Sequence, residues 1–61
     1  MPIVRVEMYP RRTHEQKAAL AKAITEAMVK IADTPAASVH VIIQDIPKDH
    51  WAQGGVLASD V

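Results

Sequence analysis

Cysteine is absent from these 61 residues, and so is phenylalanine. Without cysteine no disulfide can staple the chain, and thiol chemistry gives no clue to the redox compartment. Two aromatic side chains remain, Tyr9 and Trp51, too few and too separated for a base-stacking platform. Neither sign of charge is in excess, since seven Lys and Arg balance seven Asp and Glu. Bulk attraction to nucleic acid or to an anionic membrane is therefore not expected. No apolar run approaches the length of a transmembrane helix, and the first residues lack a basic region followed by an apolar core. A cytoplasmic protein is the expectation. The three histidines, at 14, 40 and 50, have no local spacing of a metal site, and no cofactor is expected.

Against these absences stands a hydrophobic fraction of 49%. A chain this short forms one domain, residues 1–61, and buries only about 60% of the surface that its unfolded form exposes. Small domains are usually reinforced by disulfides, metals or oligomerisation. With the first two unsupported, part of the apolar surface is expected to face other copies of the chain.

The sequence IVRVEM (3–8) alternates, with Val4, Val6 and Met8 on one side and Ile3, Arg5 and Glu7 on the other. This is a strand pattern, broken by Pro10. THEQ (13–16) reads as a capping box, in which the Thr13 and Gln16 side chains each satisfy the other's backbone amide. From there to about Ala32 the apolar residues Leu20, Ile24, Ala27, Met28 and Ile31 recur at threes and fours, the stripe of an amphipathic helix. Lys22, Glu26 and Lys30 fall on its wet side, and Pro35 disfavours helix at Thr34. VHVIIQ (39–44) is apolar on both faces apart from His40 and Gln44, which predicts a parallel strand buried on both sides. Strand, helix and strand make a βαβ unit with a right-handed crossover. Gly54 and Gly55 signal a turn whose short flanks form a hairpin or clasp a neighbouring subunit. The fold class expected is α/β: a βαβ unit with parallel strands and a short C-terminal hairpin. Pairing of two copies would complete a four-stranded sheet.

MPIVRV…RTHEQKAAL, followed by VHVIIQDIPKDHWAQGG, resembles the 4-oxalocrotonate tautomerase family over essentially the whole chain. The resemblance implies the same βαβ fold, assembled as dimers and commonly as a hexamer of three dimers. It implies that Met1 is removed and that Pro2, as a free secondary amine, acts as general base. An α-amine has a reference pKa of about 7.7–8.0; an apolar pocket and a nearby arginine would lower it, toward the range where a general base works best. By the same resemblance Arg12 binds a substrate carboxylate, for which a guanidinium is suited by its paired donors. Trp51 matches a large aromatic that walls the pocket. His40 stands where the family has a second arginine and, being mostly neutral at pH 7, is a weaker polariser of a 2-oxo group. Arg11 replaces a small residue and is assigned a structural or peripheral electrostatic role.

The activity implied is a proton shift in 2-hydroxydienoate or 2-oxo-enoate acids, 2-hydroxymuconate-like, on an unsaturated small-molecule acid. Alternatives are enol–keto conversion of phenylpyruvate-like compounds, a dehalogenase or hydratase branch, and a non-catalytic assembly subunit. The hydratase branch ranks low because no carboxylate lies between His50 and Ser59. The non-catalytic reading is kept open by His40.

Overall fold

The computed structural model describes residues 1–61. Strand β1 (Ile3–Met8) leads to helix α1 (His14–Ala32), then to a one-turn 3-10 helix at Ala36–Ser38 and strand β2 (His40–Asp45). A second 3-10 turn, Lys48–His50, precedes strands β3 (Ala52–Gln53) and β4 (Val56–Leu57), and a third, Ala58–Asp60, closes the chain. β1 and β2 pair in parallel, from Ile3 opposite His40 to Met8 opposite Asp45. β3 and β4 pair antiparallel, Ala52 with Leu57 and Gln53 with Val56. The expected βαβ unit and hairpin are both present. The second strand runs one residue later than its apolar run, because Val39 serves as the C-cap of the preceding 3-10 turn.

Local chemistry accounts for each boundary. The Thr13 hydroxyl accepts from the Gln16 amide at 3.1 Å, and the Gln16 side chain accepts from the Thr13 amide at 2.8 Å, so the capping box starts α1 as expected. The helix stops at Asp33, which adopts the left-handed region with φ 55°. In the hairpin Gly54 and Gly55 have φ 61° and 83°, the positive values that a two-residue type I′ turn needs at both centres.

α1 lies on one face of the two-stranded sheet. Val4, Val6, Met8, Val41 and Ile43 are half-buried beneath Leu20, Ala21, Ile24, Thr25 and Met28. Ala27 and Ile31 depart from the expected stripe: both are exposed, Ile31 to 86%. A 19-residue helix is about 28 Å long, against about 20 Å for a six-residue strand, so its last turn overshoots the sheet. No ion pair forms among Lys22, Glu26 and Lys30; the helix is tied instead to the end of β2 by Lys17 and Asp45.

The other face of the sheet is bare. Ile3, Arg5, Glu7, His40, Ile42 and Gln44 are all exposed, so the two-sided burial expected for β2 is not reached within one chain. No residue is fully buried. The accessible surface is 4769 Å², where a compact monomer of this mass would show about 3,900 Å². The radius of gyration is 14.4 Å, against about 10.5 Å for a compact chain of this length. No helix is long and apolar enough to cross a membrane.

Candidate active site

Parallel pairing divides the four residues singled out by the sequence between the two ends of the sheet. At the N-terminal end, Pro2 is half-buried, and its carbonyl accepts from the His40 amide at 3.0 Å. The register places His40 beside Ile3 on the bare face. Met1 is 83% exposed; its amine donates to the Ser38 carbonyl at 3.2 Å. While Met1 is attached, the Pro2 nitrogen is an amide and has no basicity. Its loss would free that nitrogen without disturbing any packed side chain.

Arg12 and Trp51 occupy the opposite end, beyond the carboxyl ends of both strands, where crevices in parallel sheets commonly take ligands. Arg12 is exposed, and its Nη1 donates to the Tyr9 carbonyl at 3.2 Å, which leaves most of the guanidinium free. Tyr9 and Trp51 meet edge to face, with ring centroids 4.8 Å apart and 61° between planes. Lys48 Nζ lies 5.4 Å from the Tyr9 ring centroid. Pro47 starts the 3-10 turn, with the His50 amide donating to its carbonyl at 2.9 Å. Residues three apart eclipse in such a turn, so Lys48 and Trp51 are presented together to Tyr9. The Trp51 carbonyl accepts from the Ala58 amide at 2.7 Å and anchors the hairpin.

An open hollow of about 560 Å³ lies between these residues and the hairpin, with Tyr9, Lys48, Trp51, Gln53 and Val56 among its walls. The ion pairs of the chain are Lys17 with Asp45 and His50 with Asp49, so neither Arg12 nor Lys48 has a carboxylate partner. Free cations beside an aromatic wall can hold a small acid with a flat apolar body.

From Pro2 to Tyr9 the chain is extended, and the two ends lie about 23 Å apart. Within one chain Pro2 therefore joins His40, and Arg12 joins Trp51, but the pairs do not meet. The sequence reading missed Tyr9, counted only as one of two aromatics, and Lys48, to which it gave no role. The signal for Lys48 was its i,i+3 spacing from Trp51 behind Pro47.

The chain matches the family model for tautomerase enzymes over residues 2–60. It is 52% identical over 55 residues to a probable tautomerase of Streptococcus pneumoniae, covering 90% of this chain and 92% of that one. A 2-hydroxymuconate tautomerase of Comamonas testosteroni is 38% identical over 61 residues, covering 100% and 97%. Among solved structures, a heterohexamer 4-oxalocrotonate tautomerase from Chloroflexus aurantiacus superposes with TM-score 0.89 and 39% identity, over 100% and 98% of the two chains.

Proposed function

The chain belongs to the 4-oxalocrotonate tautomerase family of isomerases, and from that premise we propose that it shifts a proton in 2-hydroxydienoate or 2-oxo-enoate acids at a site shared by two copies. The observation that carries this reading is the separation of Pro2 from Arg12 across the length of the sheet. Antiparallel pairing of two copies through their sheet edges would set the Pro2 end of one against the Arg12 end of the other. It would also complete a four-stranded sheet and supply the burial that a single chain lacks. The assembly is dimer-based, with a hexamer of three dimers as its full form.

In this mechanism Met1 is removed and the Pro2 amine is neutral. Its nitrogen takes a proton from C3 of a 2-oxo-4-enoate, and the charge spreads through a dienolate from the 2-oxygen to C5. The protonated proline then returns the proton to C5, leaving the 2-oxo-3-enoate with no net change of atoms. Arg12 of the neighbouring copy holds a carboxylate through paired donors and draws charge toward the far end of the dienolate. His40 donates a hydrogen bond toward the 2-oxygen, and Trp51 and Tyr9 keep water from the amine.

Enol–keto conversion of phenylpyruvate-like acids is a second reading, favoured by the Tyr9–Trp51 wall. The test is the intact mass of the purified protein, paired with ketonisation assays on a 2-hydroxydienoate and on phenylenolpyruvate. Loss of one methionine with dienoate turnover upholds the first reading. Turnover of phenylenolpyruvate alone upholds the second, and silence of the processed protein toward both overturns the two together.

A further inference from the structure

Two opposite charges stand two residues apart on β1 without a partner in the chain. Arg5 and Glu7 are exposed on the bare face of the sheet, and neither belongs to an ion pair. One edge of β1 is also unpaired, since its only ladder is with β2. The carbonyls of Pro2 and Met8 accept from the amides of His40 and Ile46, so the even-numbered residues of the strand turn their backbone groups toward β2. Those of Ile3, Arg5, Glu7 and Tyr9 therefore point to the free edge. None of the four is proline, and Pro2 and Pro10 bound them on either side.

We infer that two copies join antiparallel through this edge of β1 with Val6 facing Val6, so that Arg5 of each copy pairs with Glu7 of the other across the two-fold. This rests on the shared-site reading and names the edge, the register and the side chains that lock it. Outward backbone groups must meet outward ones, so across this edge odd-numbered residues pair with odd-numbered residues. With Val6 on Val6, Ile3 faces Tyr9 and Arg5 faces Glu7, and all four outward residues are paired. The next register on either side sets Arg5 on Arg5 or Glu7 on Glu7 and leaves Tyr9 or Ile3 unpaired. Like charges directly opposite weaken a sheet, whereas opposite charges support it. The edge of β2 has no such lock, because its one carboxylate, Asp45, is taken by Lys17. Pairing through β2 would also leave the β1 strands of the two copies three strand spacings apart, about 14 Å. Pairing through β1 sets Pro2 one spacing, about 5 Å, from Pro10 of the other copy, with the Tyr9 and Arg12 of that copy close by in the chain. The site is incomplete without them.

The test reads association rather than turnover, so its outcome is independent of whether the protein is a tautomerase. Arg5→Glu and Glu7→Arg are made separately and together in one chain. Each single variant sets two like-charged pairs across the two-fold and is expected to self-associate about tenfold or more weakly than wild type, by sedimentation. The doubly substituted chain exchanges the two charges and is expected to associate like wild type. Refolded together in equal amounts, the two single variants regain both ion pairs in a mixed dimer. Native mass spectrometry is then expected to find equal numbers of the two chains in about nine-tenths of the assemblies. That result upholds the inference even if a single variant does not fold alone. Single variants that associate like wild type overturn it, as does a random distribution of chains in the mixture. A mixture that does not assemble, a doubly substituted chain as weak as the single variants, or a monomeric wild type overturns it equally.

Discussion

The His40 amide donates to the Pro2 carbonyl at 3.0 Å, which extends the parallel ladder one residue beyond Ile3 and pins the start of the chain to β2. A base built from an N-terminus needs such an anchor, because chain ends otherwise fray. The bond uses only the Pro2 carbonyl. Its nitrogen is left to chemistry once Met1 is gone.

Replacing Pro2, the base of the proposed reaction, should be the most damaging single change. Pro2→Ala in the processed protein is expected to lower kcat/KM by at least about 100-fold, the lower end of what a positioned general base supplies. Circular dichroism should remain unchanged, since Pro2 contributes no side chain to a packed core. A loss of less than about threefold would remove Pro2 from the mechanism.

Arg12 makes one internal hydrogen bond, to the Tyr9 carbonyl, and in the proposed reaction its guanidinium holds the substrate carboxylate. Arg12→Gln is expected to raise KM for an unsaturated acid by about tenfold or more. The thermal midpoint should move little. A changed midpoint with an unchanged KM would make Arg12 a structural residue.

The capping box gives a prediction confined to stability. Thr13→Ala removes the acceptor for the Gln16 amide and is expected to cost about 1 kcal/mol, read by denaturant unfolding at fixed protein concentration. Activity per folded molecule should be retained.

Self-association should be visible in the stability itself. With no fully buried residue in a single chain, the melting temperature is expected to rise with protein concentration. Ile42→Asp, on the bare sheet face at a residue 39% exposed in the single chain, should shift sedimentation toward smaller species. Concentration-independent melting of a sedimenting monomer would contradict this.

Much of this fold could be read in the sequence because its signals are local. Alternation marked IVRVEM, the capping box set the start of α1, and paired glycines set the hairpin turn. Ile31 escaped because a helix stripe says nothing of where the sheet beneath it ends. Lys48 and Tyr9 escaped because their contact is tertiary, made by a 3-10 turn in a loop without periodicity. The resemblance gathered Pro2 and Arg12 into one site, but only the parallel register shows that ten residues of chain carry them to opposite ends of the sheet.

The most direct test of a site shared between copies is subunit mixing. Pro2→Ala and Arg12→Gln proteins would be unfolded together at equal amounts, refolded and assayed at substrate well below KM, where each parent alone keeps at most about a tenth of wild-type activity. Random pairing makes half the dimers mixed, and each mixed dimer holds one site with both residues intact, so about a quarter of wild-type activity is predicted. Recovery of no activity beyond the sum of the two parents, from a mixture shown by mass to contain hybrid dimers, would contradict the account.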